Sequence, residues 1–192
     1  MTNELTIIRD LIARLADAGV YAVCAGGAAR DAYMGRKPKD YDIAIIDHKP
    51  GDAEALEMII QDATGAAVVY NLREQGMGSN GTSNSDGDAT ARGLDNVFEV
   101  HECEGEYIVI QFLVFTASKM ASFQLDIQTV VELHDCTLNQ AWFEEVGGRL
   151  VPRVTAAFPT AANGLPNVFR DEHVNFDRKA YIAEKFPQFT HQ

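Results

Sequence analysis

A chain of 192 residues, 46% hydrophobic and 23% charged, suffices for one folded domain with its own core, or one domain and a short appendage. Its 16 basic against 28 acidic side chains leave a net charge of −12, and the densest basic stretch is only Arg36-Lys37-Pro38-Lys39, which excludes the broad basic surface that extended duplex binding needs. No apolar run reaches the roughly 18 residues of a membrane span, the start Met1-Thr2-Asn3-Glu4 carries no signal-peptide pattern, and Cys24, Cys103 and Cys136 lack zinc-site spacing. The expectation is a cytoplasmic protein, without a membrane partner, with reduced, buried thiols.

In chain order, Ile7, Ile8, Leu11, Ile12 and Leu15 recur at three- and four-residue spacing and predict a helix over residues 3–18, stopped by Gly19. Tyr21–Ala25 reads as a strand ending at Gly26-Gly27, Ala28–Met34 as a short helix closed by Gly35, and Asp40–Ile46 as a second strand. Glu54–Ala63 is a helical pattern and Ala66–Leu72 a third strand. From Glu74 to Asn96 the chain is rich in Gly, Ser and Asn, has no face to bury, and predicts a long loop of functional character. Val97–Cys103 and Tyr107–Phe115 around Glu104-Gly105-Glu106 form a hairpin pattern. Ser118–Phe143 reads as mostly helical with a break near Leu125, the stretch Pro152–Pro166 as punctuated coil, and Asp171–Lys185 as a last helix.

The chemistry concentrates early. Asp40 and Asp42, two apart on a strand, point to the same face because strand side chains alternate. Hard divalent ions such as Mg²⁺ take carboxylate oxygens together with phosphate and water, and two carboxylates can hold two metals about 3.5–4 Å apart. Alone, this pair fits solvated acids at a turn better than a metal site, and its neighbours in the sequence change the balance. Just upstream, Gly26-Gly27 lets backbone N–H groups approach a phosphate at a helix start, where a plain tight turn is the alternative.

The run Gly26-Gly27-Ala28-Ala29-Arg30-Asp31-Ala32-Tyr33-Met34-Gly35-Arg36-Lys37-Pro38-Lys39-Asp40-Tyr41-Asp42-Ile43-Ala44 resembles the signature GGxxRDxxxGxxPxDxDxA of the class II tRNA nucleotidyltransferase (CCA-adding enzyme) and bacterial poly(A) polymerase family, in the polymerase β-type nucleotidyltransferase superfamily, with every fixed position filled. A second family element, RRDFTINA, is similar to Leu133-His134-Asp135-Cys136-Thr137-Leu138-Asn139-Gln140, where Asp135, Thr137 and Asn139 coincide and Leu133 and His134 replace the arginines. A third, EDxxRxxRAxRFAxxF, resembles residues 171–186, keeping Arg178 and Phe186 and placing Asn175 where the base-reading arginine stands.

The resemblance implies an α/β (α+β) nucleotidyltransferase head: a mixed, twisted sheet of about five strands flanked by helices over residues 1–150, with residues 151–192 a helical extension like the start of a neck domain. It implies attack of an acceptor hydroxyl on the α-phosphate of an NTP (ATP or CTP) with release of pyrophosphate. Asp40 and Asp42 would hold Mg²⁺ (or Mn²⁺), Gly26, Gly27 and Arg30 the triphosphate, Asp135 and Asn139 the sugar, and Asn175 and Arg178 the base. The loop Glu74–Asn96 falls where the family has a mobile segment, which suggests gating. Gln111 stands where a third carboxylate is expected, so Glu99 or Glu102 from the partner strand contributes, or two acids suffice, or activity is lost. Asp31 is placed to pair internally with Arg30, and His134 is open to packing or ligand contact. The acceptor implied first is an RNA 3′ end such as that of tRNA; the alternatives are a hydroxyl of a small molecule or protein, and a non-catalytic nucleotide-binding module.

Overall fold

The computed structural model describes residues 3–46, 53–72, 94–115, 127–132, 134–169 and 176–192. Helix α1 (Asn3–Asp17) buries Ile7, Ile8, Leu11 and Leu15, the stripe its periodicity predicts. Its end is closed by Gly19 at φ 79°, with the Gly19 N–H donating to the Ala16 carbonyl and the Val20 N–H to that of Leu15. There follow β1 (Tyr21–Ala25), α2 (Gly27–Tyr33), β2 (Tyr41–Ile46), α3 (Ala53–Thr64), β3 (Tyr70–Asn71), β4 (Leu94–Cys103) and β5 (Glu106–Phe115). Then come α4 (Ile127–Glu132), a 3-10 turn (Thr137–Asn139), β6 (Ala141–Val146), β7 (Arg149–Val154) and α5 (Phe176–Lys185).

The strands form one seven-stranded sheet in the order β3-β4-β5-β2-β1-β6-β7. Only the central β2–β5 pair is parallel; every other neighbour is antiparallel. The α/β class with a mixed sheet flanked by helices is as expected, with seven strands where about five were predicted.

Alternation along the strands creates two faces. Cys24, Ile43, Ile45, Phe98, Ile110 and Phe112 point into the main core, with the apolar stripes of α1 and α3. Each such fully buried side chain contributes about 1.5–3 kcal/mol. Val23, Ala44, Ile46 and Phe115 point the other way and meet Val130 of α4 in a second, smaller core. Asp42 and Gln111 lie on this second face, as register partners near the start of β2 and in the middle of β5.

Three expectations change. Of the predicted strand Ala66–Leu72, only Tyr70–Asn71 pairs: Gly65 at φ 67° turns the chain, and β3 has a single neighbour, β4, so little ladder holds the earlier residues extended. Strand β4 starts at Leu94, so the last residues of the predicted loop are sheet, reached through a register irregularity between Leu94 and Asn96; its residues 74–93 lie outside the described residues, and the gating expectation with them. Ala141–Phe143, read as helix, is strand. The two-residue turn Gly147-Gly148, both with positive φ, folds Ala141–Val146 back on Arg149–Val154 as a hairpin. Of the longer helical prediction, residues 118–126 lie outside the described residues, as do 171–175 of the last helix. Residue 150 falls within β7, and Phe158, Ile182 and Phe186 belong to the same core cluster as α1 and the sheet.

Candidate active site

Asp40 is exposed on the turn leading into β2, and Asp42 is partly buried as the second residue of that strand. Asp42 sits in register between Ala25 of β1 and Gln111 of β5, at the middle of the sheet. Its carboxyl is pushed up from 3.8 to about 7, first by burial and next by the charge of Asp40. Arg178 and Arg30 pull it back down and Asp135 adds to the rise. The charge of Asp40 is therefore felt at Asp42.

The diglycine bend meets Asp42 directly. Gly26 has φ 82°, and its N–H donates to the Ala141 carbonyl across 2.7 Å, which fixes the turn between β1 and α2. A Cβ on Gly26 would lie 2.9 Å from His134 Cε1 and 3.5 Å from an Asp42 oxygen, so both the backbone angle and the space require glycine here. A Cβ on Gly27 would be 3.5 Å from the terminal nitrogen Nη2 of Arg30, which puts that guanidinium beneath the bend. His134 and Asp42 also line a small cavity with Ala25, Ala44, Leu113, Phe115 and Val130.

Behind the bend runs a polar chain that joins segments far apart in sequence. Arg30 is buried; its Nε donates to Asp31 at 2.8 Å, and its Nη1 donates to the Asn139 side-chain oxygen. Asn139 Nδ2 donates to Asp135 at 2.5 Å, and Arg178 Nε donates to the other Asp135 oxygen at 2.8 Å. On the opposite side Lys185 Nζ reaches Asp31 at 3.0 Å. Phe186, fully buried, is covered by the Arg30 guanidinium 4.6 Å from its ring centre and by Arg36 at 4.9 Å. Thus α2, the 3-10 turn and α5 are bound together through charge-assisted hydrogen bonds in a mostly buried setting, where each is worth more than at the surface.

Of the predicted site residues, Gly26, Gly27, Arg30, Asp42, Asp135, Asn139 and Arg178 converge here, and Asp40 bears on Asp42 through its charge. Asn175 and Leu133 lie outside the described residues. Asp31 pairs with Arg30, as its position suggested, and also with Lys185. Lys185 had no signal in the sequence pattern, because its partner is 154 residues away. The two candidate acids on β4 separate clearly: Glu102 stands opposite Tyr107 near the hairpin turn, whereas Glu99 stands opposite Gln111 and takes a hydrogen bond from Gln111 Nε2 at 2.6 Å.

The donor set suits a hard divalent cation. Asp40 and Asp42 offer carboxylate oxygens, and an aspartate whose ionisation is held back by burial and a like charge is a group that a bound cation would relieve. Among the described residues no group of three or more His, Cys, Asp or Glu is arranged to hold a metal.

Among the described residues no helix is long and apolar enough to cross a membrane. No protein-family model and no curated protein matches the sequence. Solved structures match in fold. A tRNA-processing enzyme in an apo form superposes with a TM-score of 0.60 at 12% identity over all of this chain and 45% of that one. The CCA-adding enzyme of Bacillus stearothermophilus in complex with CTP matches with 0.53 at 15% identity, over 100% of this chain and 42% of that one. A CCA-adding enzyme in complex with CTP matches with 0.55 at 14% identity, over 98% and 40%. This chain spans less than half the length of each, and at such identities what it shares with them is the fold: a nucleotidyltransferase-like α/β architecture.

Proposed function

We propose that the protein transfers a nucleoside monophosphate from an NTP, ATP or CTP, to an acceptor hydroxyl and releases pyrophosphate. The observation that carries this reading is the approach of an Asp42 oxygen to the Gly26 bend, with the charge of Asp40 acting on Asp42 and raising its ionisation toward the point that a cation would tip. A bound Mg²⁺ or Mn²⁺ would neutralise charge on the triphosphate and the attacking oxygen. Asp40 and Asp42 are the residues that would hold it. The bend at Gly26 and Gly27 lets phosphate oxygens approach the backbone next to Asp42, with Arg30 beneath as fixed positive charge. Asp135 and Asn139 are held by Arg178 and Arg30 in a position suited to a sugar hydroxyl, and Arg178 lies on the helix that the resemblance assigns to the base. The protein's contribution is mainly positioning and electrostatics.

An RNA 3′ end is the acceptor the family resemblance supports. A hydroxyl on a small molecule or protein is the reading supported by the net charge of −12. Incubation with labelled NTPs and Mg²⁺, first with total RNA, then with protein extract and with small hydroxylated compounds, reads the acceptor directly. Asp40→Ala with Asp42→Ala should abolish label transfer while circular dichroism stays unchanged; persistent transfer in that double variant sinks the assignment.

A further inference from the structure

The carboxylate assigned to the sugar is covered. The Asp135 side chain is only 3% exposed; one of its oxygens accepts from Asn139 Nδ2 at 2.5 Å and the other from Arg178 Nε at 2.8 Å. Asn139 is itself buried and held by Arg30, so that side is closed. Arg178, 36% exposed, is the covering group that faces solvent. A sugar hydroxyl therefore meets Asp135 by the route that the Arg178 guanidinium occupies.

The helix carrying Arg178 is fastened unevenly. At the C-terminal end of α5 and just past it, Ile182 and Phe186 are fully buried, Lys185 Nζ reaches Asp31 at 3.0 Å, and Arg30 and Arg36 cover the Phe186 ring. From Asp177 to Tyr181, by contrast, no side chain is buried. That half is tied by the Arg178–Asp135 pair and by Lys179 Nζ, 5.5 Å from the centre of the Phe169 ring. Arg178 also has a second seat: its guanidinium lies 5.7 Å from the centre of the half-exposed Tyr181 ring, three residues along the same helix. A guanidinium leaving Asp135 can settle on that aromatic face while the anchored end of α5 stays in place. The carboxylate it leaves keeps Asn139, with the Arg30 charge behind it, and needs one further donor to replace the lost bond.

We propose that Arg178 is a latch on the sugar subsite: a nucleotide binds by displacing Arg178 from Asp135, its sugar hydroxyl taking the place of Nε and the guanidinium passing to Tyr181. The proposal rests on the nucleotidyl-transfer reading and adds a regulation of that same site. The subsite opens for a ligand whose hydroxyl replaces the bond that Arg178 gives up. Because only the unlatched fraction is competent, the apparent affinity for a hydroxylated sugar is lowered by that fraction. A sugar without hydroxyls leaves the latch shut and gains nothing from its removal.

Calorimetry on the full chain with Mg²⁺ and no acceptor compares ATP or CTP with its 2′,3′-dideoxy counterpart, in the wild type and in Arg178→Gln. Removing the latch should raise the preference for the hydroxylated nucleotide, read as the ratio of the two Kd values, at least fivefold. A base contact made by Arg178 changes both Kd values alike and drops out of the ratio. In the wild type, the Arg178 Nε–H proton is followed by NMR and assigned by its absence in Arg178→Lys. It should exchange slowly in the free protein and with the dideoxynucleotide, and rapidly with saturating ATP or CTP. A ratio that stays constant or falls, or an Nε–H that stays protected under bound ATP or CTP, overturns the latch and leaves nucleotide binding and transfer standing. Should Arg178→Gln fail to fold, the proton measurement on the wild type decides alone. Absence of binding by any of these nucleotides overturns the nucleotidyl-transfer reading and this inference with it.

Discussion

Replacing Asp42 by Asn keeps the shape of the side chain and removes its ionisation, so it isolates the electrostatic cost built into the site. In the folded protein the Asp42 carboxyl ionises at about 7 rather than 3.8, because burial and the neighbouring Asp40 both disfavour the charge. Between those two pH values the folded state keeps a proton that the unfolded chain has lost, so it binds more protons and each rise in pH lowers the free energy of unfolding. At about 1.4 kcal/mol for each pH unit, the rise amounts to about 4 kcal/mol, fully present above pH 7 and absent below pH 4. Asp42→Asn should therefore match the wild type near pH 4 and exceed it at pH 8 in metal-free buffer, by on the order of 10 °C in Tm for a chain of this size. Thermal melts of both proteins in chelator across pH 4–8 measure the gap, and added Mg²⁺ should narrow it at pH 8 by stabilising the wild type alone. A gap that stays constant with pH, or a variant less stable at pH 8, refutes the electrostatic account of the site.

Gly26→Ala should cost about 1–3 kcal/mol in urea unfolding, because alanine is strained at φ 82° and its methyl meets the His134 ring at 2.9 Å. Adding His134→Ala should recover the steric part and leave the backbone part, as a double-mutant cycle will report. Arg178→Met removes the guanidinium from the buried Asp135 carboxylate and should destabilise by about 2–4 kcal/mol. The same change should raise the pH at which Asp42 ionises, since Arg178 lowers it, and a pH series of melts detects the displacement. Gln111→Glu sets a third carboxylate beside Asp42 and against Glu99; unfolding free energy at pH 8 should fall by about 1–3 kcal/mol in chelator and recover in Mg²⁺, with tighter Mg²⁺ binding by calorimetry.

Much of the local structure was legible because its causes are local. The stripe Ile7, Ile8, Leu11, Leu15 has helical spacing, and Glu104-Gly105 between two alternating apolar runs marks a hairpin whose central residues both take positive φ. The same kind of signal, Gly147-Gly148 between Ala141–Val146 and Arg149–Val154, went unused because the apolar spacing from Val130 to Phe143 also suits a helix. Such short apolar runs do not separate the two forms, and here strand pairing with β7 and β1 decided. Of the site, Asp40, Asp42 and the glycines follow from one short motif. The bonding of Arg30 to Asn139, and of Asp135 to Arg178, does not.

By itself the amino-acid order determined which segments have a face to bury, where the chain must turn, and that an acid stands near the start of a strand beside a glycine bend; Asp40, expected on that strand, lies on the bend that precedes the strand. Those properties depend on residues a few positions apart. Only the tertiary structure decided that β5 enters the sheet parallel to β2, with Gln111 in register with Asp42, and that of Glu99 and Glu102 it is Glu99 that stands in the same row. It also decided that α5 returns to clamp Asp31 and Asp135, an arrangement set by long-range burial of Ile182 and Phe186 and invisible to any short window of sequence.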